Sequence, residues 1–298
     1  MRKITVVGAP MWLGQSEFGT QLGPEAIRSA GLMKYLQSSR IDIIDAGNLD
    51  IKIKEPCCRT NDIYCKVRNL EDVRDSVELL ASKVSEVVGG GRFPLILGGD
   101  HSIAIGSLAG IAKHYRNLGV IWYDAHADSN TVETSPSGNI QGMPLAASIG
   151  AGHLDLIEVG GYRNKVKAEH IVLIGVRDID PGEREFIDKK QIKIFTAEDV
   201  HRIGINNVID ETVSYLTSKC DGIHLSYDLD VIDPSDSRGV GTPVDCGIYL
   251  EQNIEAMKLL ARYNVITSAE FVEVNPLLDK DGRTVAATVA LIRALLTN

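Results

Sequence analysis

Six side chains of the types that bind metal ions follow three separate apolar runs of the sequence. They are His101, Asp124, His126, Asp128, Asp228 and Asp230. Residues 118–123 form an uninterrupted apolar run, which is typical of a strand buried on both faces, and alternate residues of an extended chain project to one side. The residues at 124, 126 and 128 are therefore expected to converge at the carboxyl end of a strand, where open α/β sheets bind ligands. Taken alone, this stretch also fits a polar loop whose aspartates only cap the next helix.

The other two segments offer the same kind of chemistry. Asp228 and Asp230 are two residues apart in a strand pattern and are predicted to share a face. Two buried anions side by side are costly unless a cation neutralises them, and a metal ion is the simplest such cation. His101 directly follows the apolar run 93–97, although Asp100 and His101 also fit the chemistry of a helix start.

Together the six donors predict a binuclear metal site. Four carboxylates and two imidazoles are more than one ion needs, and shared carboxylates would hold two ions about 3.5 Å apart. Oxygen-rich donors with imidazole favour manganese, although cobalt, iron or zinc could occupy the same geometry. A water between two such ions loses a proton near neutral pH and becomes a nucleophile. The histidines at 114, 153, 170, 201 and 224 are assigned to no metal.

The elements that must position these donors alternate between strand and helix along the chain. Residues 67–88 carry apolar side chains at spacings of three and four, which indicates an amphipathic helix. We count about eight short strands interleaved with helices, which predicts an α/β fold: a three-layer α/β/α arrangement around a central, mainly parallel sheet. The sequence offers no dividing linker, so residues 1–298 are predicted to form a single domain.

Composition narrows the classes of partner. The formal charge is −9 and Lys and Arg form no dense cluster, which argues against nucleic acid and anionic membranes and favours a small cationic substrate. No stretch approaches the roughly 18 apolar residues of a membrane span. The apolar run 4–7 is too short for the core of a signal peptide, so a cytoplasmic location is predicted.

The five cysteines are odd in number and lack the paired spacing of a zinc site. They are interpreted as reduced thiols. The adjacent Cys57 and Cys58 leave two readings open, a redox role or ordinary loop cysteines.

The three chemical segments resemble known signatures when they are taken together. Gly-Gly-Asp-His-Ser at 98–102, Asp-Ala-His-Ala-Asp at 124–128 and Ser-Tyr-Asp-Leu-Asp-Val-Ile-Asp-Pro at 226–234 are similar to those of the ureohydrolase (arginase/agmatinase) family. The resemblance extends over nearly the whole chain. Within the family the specificity loops are most similar to those of the arginases, which hydrolyse L-arginine to L-ornithine and urea with two manganese ions and form trimers and hexamers.

The resemblance also implies roles for individual residues. One Mn²⁺ would be held by His101, Asp124, Asp128 and Asp228, and the other by Asp124, His126, Asp228 and Asp230. The substrate's α-carboxylate would be bound by Asn130, Ser137 and Asn139, and its α-amino group by Asp180. Thr242 and Glu273 would line the guanidinium end. A hydroxide bridging the ions would attack the guanidinium carbon, and Asp128 would pass the proton to the leaving amine.

One position departs from the family pattern. The arginase loop carries a histidine where this chain has Gln141, and that histidine is thought to shuttle protons between the site and solvent. An amide cannot be protonated near neutral pH. General acid or base help is typically worth about 10²- to 10⁴-fold in rate, so a slow arginase is expected unless water or another group relays the proton.

Three alternatives stay open at this stage. The substrate could be another guanidino compound. The chain could also be a catalytically weakened homologue that binds metal or amino acids, a reading that Gln141 motivates and the complete ligand set opposes. A binuclear phosphoesterase also uses Asp-x-His, but it normally carries a Gly-Asn-His-Asp/Glu element that this sequence lacks.

Overall fold

Eight strands form one sheet in a computed structural model that describes residues 3–39, 41–52 and 66–296. The strands are β1 (Lys3–Ala9), β2 (Asp42–Asn48), β3 (Phe93–Gly98), β4 (Leu118–Tyr123), β5 (Ile171–Val176), β6 (Lys193–Thr196), β7 (Gly222–Asp228) and β8 (Ile266–Val272). Their order in the sheet is β2-β1-β3-β8-β7-β4-β5-β6. Every neighbouring pair is parallel, so the mainly parallel sheet predicted from the sequence is parallel throughout.

Helices cover both faces of this sheet. They are α1 (Gly23–Ile27), α2 (Met33–Ser38), α3 (Leu70–Gly89), α4 (Ala104–Ala112), α5 (Pro144–Ser148), α6 (Leu154–Ile157), α7 (Pro181–Lys190), α8 (Ala197–Ile203), α9 (Ile205–Thr217), α10 (Leu250–Tyr263) and α11 (Arg283–Leu296). Apolar side chains of α1, α2 and α8 to α11 pack on one face, and those of α3 to α7 pack on the other. This confirms the predicted three-layer α/β/α fold.

Strand β4 shows why the central apolar runs have no polar alternation. Ile121 and Tyr123 belong to the hydrophobic core on one face of the sheet, whereas Val120 and Trp122 belong to the core on the other face. A strand with helices on both sides exposes neither face, so each residue must be compatible with burial. The polar side chains of the segment are thereby confined to the strand's end.

The backbone leaves the extended conformation earlier than the spacing of the acidic residues suggests. Strand β4 ends at Tyr123, and Asp128 has a left-handed backbone with φ 47°. Asp230 lies in a 3₁₀ turn over Leu229–Val231 rather than in β7. The prediction that alternation within a strand aligns these ligands was therefore wrong in mechanism, although the side chains do reach the carboxyl edge of the sheet.

Two further sequence predictions concern segments away from this edge. Cys57 and Cys58 lie outside the described residues, while Cys220 is half-buried and Cys246 exposed, both as free thiols. Across the part of the chain that the structure describes, no helix combines the length and the apolar character needed to traverse a bilayer.

Candidate metal centre and substrate cleft

The candidate site residues follow four consecutive strands at the centre of the sheet. In the order β3-β8-β7-β4, β3 leads to His101, β8 to Glu273, β7 to Asp228 and β4 to Asp124. Because all four strands are parallel, their carboxyl ends open on the same edge. Sequence order alone does not reveal that β8 lies between β3 and β7.

The first cluster surrounds the imidazole of His101. Its Nδ1 lies 3.0 Å from Oδ2 of Asp124, 3.0 Å from Oδ2 of Asp128 and 3.2 Å from Oδ2 of Asp228. His101, Asp124 and Asp228 are arranged so that one atom from each could bind a single ion. All four side chains are buried, so water does little to screen the carboxylates from one another.

The second cluster shares Asp124 with the first. Nδ1 of His126 lies 3.3 Å from Oδ1 of Asp124 and 3.0 Å from Oδ2 of Asp230, and these three residues could also hold one ion. Asp124 therefore directs one oxygen to each histidine. This is the arrangement expected of a carboxylate that bridges two metal ions.

Neighbouring groups hold the shared carboxylate in place. The indole Nε1 of Trp122 donates to Oδ2 of Asp124 at 3.0 Å, and the same indole stacks on the His101 ring with centroids 4.2 Å apart. The backbone N–H of His126 donates to Oδ1 of Asp124 at 2.7 Å. Asp124 is thus fixed by groups other than its proposed metal ions.

Burial and the closeness of the charged groups shift the pKa values of the side chains in this centre. Burial lowers the pKa of His101, but the three surrounding carboxylates reverse this and hold its pKa well above the ordinary value. Burial also opposes ionisation of Asp124, yet hydrogen bonds to His101 and His126 hold its pKa well below the usual range. Burial and nearby carboxylates raise the pKa values of Asp128 and Asp228 well above the ordinary value.

These features fit divalent cations. Nδ1 of His101 is buried and has no hydrogen-bond partner among the described residues, although three carboxylates face it. An imidazole lone pair enclosed by carboxylates is the donor set that a hard or borderline ion prefers. A bound cation would replace the protons that the two histidines otherwise retain, because metal ligation requires neutral imidazole.

Glu273 lies beside the metal cluster in an unusual backbone conformation. Its φ is 65°, in the left-handed region, which costs a non-glycine residue about 1–3 kcal/mol. Its Oε1 accepts from the backbone N–H of His101 at 2.8 Å and its Oε2 from Nε2 of Gln15 at 3.2 Å. Burial and the neighbouring Asp100 raise the pKa of Glu273 well above the ordinary value.

A glycine allows these segments to approach one another. A Cβ placed on Gly99 would lie 1.9 Å from the backbone oxygen of Met11. The carbonyl of Gly99 accepts from the backbone N–H of Glu273 at 2.8 Å. Asp100 accepts from the backbone N–H of Ser102, which bears out the helix-start reading for Asp100.

The cluster forms the base of a polar cleft of about 280 Å³, slightly smaller than the roughly 300–1,000 Å³ of pockets for drug-sized ligands. Except for Asp124, which lies beneath it, every site residue named from the sequence lines this cleft; Ser135, Gly142 and Glu183 also line it. A wider groove of about 1190 Å³ lies along α10. None of the predicted metal ligands lines that groove, so the smaller cleft is the candidate site.

The residues predicted to bind the α-amino and α-carboxylate groups all line the cleft. Nδ2 of Asn130 donates to Oδ2 of Asp180 at 2.8 Å. Ser137 is exposed, and Oδ1 of Asn139 has no hydrogen-bond partner in the described part of the chain. Thr242, which also lines the cleft, donates its hydroxyl to Oδ2 of Asp230 at 3.2 Å.

Glu183 is a cleft residue that the sequence reasoning missed. Its Oε1 accepts from the backbone N–H of Ser129 at 2.9 Å and its Oε2 from that of Asp180 at 3.0 Å. Burial raises the pKa of Glu183 to about 7. The signal was present as Asp180 followed three residues later by Glu183, but this spacing is also that of a helix capping box, which the structure does contain.

Gln141 faces the same cleft. Its backbone N–H donates to the carbonyl of Gly14 at 3.0 Å. The side-chain Oε1 is buried and has no hydrogen-bond partner within the described residues. An unsatisfied acceptor at this position is available to a water or a substrate N–H.

Comparisons with known proteins agree along the whole chain. A family model described as "Arginase family" matches residues 2–297. The arginase of Bacillus caldovelox is 54% identical over 295 residues, covering 99% of this chain and 98% of the relative. The solved structure of that arginase matches with a TM-score of 0.96 at 53% identity, and the match covers 100% of this chain and 99% of the chain in that structure. The Entamoeba histolytica arginase, solved in complex with L-ornithine, has a TM-score of 0.90 at 33% identity and covers 99% of both chains.

Proposed function

The chain belongs to the arginase family, and from this premise we propose that it hydrolyses L-arginine to L-ornithine and urea in a manganese-dependent reaction. The observation that carries the proposal is the pair of donor clusters sharing Asp124 at the base of a cleft that also contains Glu273. Support also comes from the Bacillus caldovelox relative, an arginase about as long as this chain. The Entamoeba histolytica arginase was solved in complex with L-ornithine.

The residues that would hold two Mn²⁺ ions are the six predicted from the sequence. His101, Asp124, Asp128 and Asp228 would hold one ion, and Asp124, His126, Asp228 and Asp230 the other. Two such cations supply a nucleophile near neutral pH by lowering the pKa of water, and they neutralise charge that develops during the reaction. The donor set contains no thiolate, which favours manganese over metals that prefer sulfur.

Glu273 orients the guanidinium group. A carboxylate matches the planar guanidinium with two parallel hydrogen bonds, and the contacts of Glu273 with His101 and Gln15 fix the plane of its carboxylate. A bound guanidinium supplies the positive charge that the buried Glu273 lacks, so binding favours the ionised form. Holding the reacting carbon in one place converts binding energy into orientation.

Polar residues that line the cleft recognise the amino acid end of the substrate. Asp180 pairs with the α-ammonium group, and Asn130 holds the Asp180 carboxylate in position through its hydrogen bond. The hydroxyl of Ser137 and the amide of Asn139 bind the α-carboxylate, directly or through water. Agmatine has no carboxylate for this loop to bind, so arginine is the preferred substrate.

Asp128 transfers the proton within the cleft. Its carboxylate belongs to the first cluster and also lines the cleft, which places it next to both the metal centre and the substrate. It accepts the proton released as water attacks and passes it to the leaving amine. Gln141 cannot carry this proton onward to solvent because its amide does not ionise, so turnover is slow unless a water relays the proton.

Urea release from L-arginine after Mn²⁺ loading tests the proposal directly. Release is expected at neutral and alkaline pH, with agmatine and other guanidino acids hydrolysed more slowly. Glu273→Gln is expected to lower kcat/KM for arginine by about 10- to 100-fold, the cost of losing a charged hydrogen-bond partner. Glu251→Gln, a matched change on the exposed side of α10, should leave kcat/KM unchanged.

Other outcomes of the same assay identify the alternatives. A guanidino compound hydrolysed faster than arginine would replace the substrate while retaining the reaction. Metal binding without urea release from any guanidino compound would point to a weakened homologue that only binds. Absence of urea above background at all pH values would overturn the proposed activity.

We further propose that residues 1–298 form one domain that assembles into a homotrimer or homohexamer in the cytoplasm, without a nucleic acid or membrane partner. The formal charge of −9 supports the last point. Light scattering coupled to size-exclusion chromatography tests the assembly, and a monomeric mass would contradict it.

A further inference from the structure

A group of polar side chains beneath the metal centre plays no part in the mechanism described so far. Glu270 on β8, His224 and Ser226 on β7, and Ser107 on α4 are each 0% exposed. None of them lines the substrate cleft. Placing a carboxylate in a dry interior is costly unless its partners compensate, so this group requires an explanation.

Glu270 is held from three directions. The hydroxyl of Ser107 donates to its Oε2 at 2.6 Å, and that of Ser226 donates to its Oε1 at 2.7 Å. Nε2 of His224 lies 3.2 Å from Oε1, and Nδ1 of the same ring lies 2.9 Å from Oγ of Ser268. Burial opposes ionisation, but His224, the charge of His101 and the Ser107 hydroxyl hold the pKa of Glu270 below its ordinary value.

The direction of these hydrogen bonds determines the tautomer of His101. An ionised carboxylate only accepts, so the single hydroxyl proton of Ser226 is committed to Glu270. Nε2 of His101 lies 2.8 Å from the Ser226 oxygen, and Ser226 can therefore only accept from it. A proton is thereby held on Nε2, so Nδ1, which faces the carboxylates of the first cluster, is the nitrogen that gives up its proton when a cation binds.

We propose that Glu270 is a positioning residue that acts through Ser226 to keep the Nδ1 of His101 available to the metal ion. A histidine that donates its outer N–H toward a carboxylate is a fixed and more basic ligand, and loss of such a partner typically costs about 10- to 100-fold in metal affinity. The inference rests on the proposed metal binding, but it does not depend on the identity of the substrate.

The proposal requires an effect on one ion and not the other. His126 does not contact the Ser226 and Glu270 path: its Nδ1 faces Asp124 and Asp230, and its Nε2 lies 3.9 Å from Asp178 near the surface. Removing the charge of Glu270 should therefore weaken the ion bound by His101 and spare the ion bound by His126. A general loss of packing would weaken both.

Glu270→Gln is the sharpest variant because it keeps the shape. With its amide oxygen kept toward the Ser107 hydroxyl, its amide nitrogen replaces Oε1 beside Ser226, so the Ser226 hydroxyl no longer donates to residue 270 and is free to donate to Nε2 of His101. Mn²⁺ binding to the metal-free full-length protein, measured by competition with a chelating dye, is expected to show one site weakened by about 10- to 100-fold and the other within about twofold of wild type.

Ser226→Ala interrupts the same path and provides a second variant if Glu270→Gln does not fold. Its effect should match that of Glu270→Gln, and the double variant should be no weaker than either single one, because two residues in one path are not additive. The Nε2–H proton signal of His101 in the NMR spectrum of the Zn²⁺-loaded protein should shift in both single variants. Thr212→Val, a buried substitution of similar size on α9, is the control and should change neither measurement.

The outcomes separate this inference from the proposed function. If the wild type binds two ions but releases no urea, the arginase activity fails while the binding test still applies. If Glu270→Gln weakens both ions equally or neither, or if the effects of the two variants add, the positioning role is wrong. A wild type that binds no metal overturns both proposals.

Discussion

Asp228→Asn is expected to change thermal stability in opposite directions with and without metal. Asparagine keeps the oxygen that accepts from the backbone N–H of Asp230 at 2.8 Å, so the local turn is retained and only the charge is lost. In the metal-free protein, burial together with Asp230 and Asp124 opposes ionisation and raises the Asp228 pKa. Removing that charge should leave the metal-free melting temperature equal to or above that of wild type.

The metal-loaded protein should respond with the opposite sign and a calculable size. An ion at about 100 times its Kd stabilises the folded state by about 2.7 kcal/mol, so two ions contribute about 5.4 kcal/mol. The unfolding entropy of 298 residues is about 0.6 kcal/mol/K, which converts this to a rise of about 9 °C in wild type. Because Asp228 belongs to both proposed ligand sets, a loss of about 100-fold at each ion would reduce the rise to about 1 °C.

Differential scanning calorimetry with Mn²⁺ and with a chelator measures both effects. Without metal, the melting temperature of the variant should exceed that of wild type by more as pH rises. The raised pKa of Asp228 in the folded wild type means that wild type loses stability as this carboxyl ionises, and asparagine does not ionise. Asp221→Asn, a change outside the site, should retain the full Mn²⁺-induced rise. The reasoning is refuted if Asp228→Asn lowers the metal-free melting temperature as much as the loaded one.

Three further variants test separate parts of the cleft. Burial raises the pKa of Glu183 to about 7, so the metal-free wild type should lose stability as pH rises from about 4.5 to about 7, by up to about 1.4 kcal/mol per pH unit. Glu183→Gln should remove this loss, and urea unfolding that shows the same pH dependence in variant and wild type would contradict it. Gln141→His should raise kcat for arginine, by up to the roughly 10²- to 10⁴-fold of general acid or base help, and an unchanged kcat in steady-state assays would exclude the shuttle argument. Arg177→Lys should lower the melting temperature and raise KM, because the guanidinium donates to backbone carbonyls of Asp230 and Val244 that a single ammonium cannot reach together. An unchanged KM would exclude a role for Arg177 in shaping the cleft.

Composition and pattern were sufficient for the fold and for selecting side chains that the structure groups into two clusters able to hold an ion. The uninterrupted run at β4 reflects burial on both faces, and short strands alternating with helices leave a parallel sheet as the natural arrangement. Asp228 and Asp230 could be recognised because two anions in apolar surroundings need a cation. Their geometry could not be derived, since Asp128 and Asp230 reach the site through a left-handed residue and a 3₁₀ turn, which depend on tertiary contacts.

Residues that act through other residues were harder to find. His224 was assigned no role from the sequence, yet it lies 3.2 Å from Glu270 across the β7 and β8 pair. These residues are brought together by the order of the strands in the sheet, which local sequence patterns do not predict. Gln15 was missed for the same reason, because its contact with Glu273 joins residues 258 positions apart.

The backbone of Glu273 has a consequence for how the sequence drifts over evolutionary time. A glycine at this position would remove both the left-handed strain, about 1–3 kcal/mol, and a carboxylate that burial disfavours. The same glycine would leave the buried backbone N–H of His101 without its acceptor, which costs about 1–3 kcal/mol. Folding stability alone therefore gives neither residue a clear advantage, and what glycine cannot replace is the carboxylate that the cleft presents to a guanidinium.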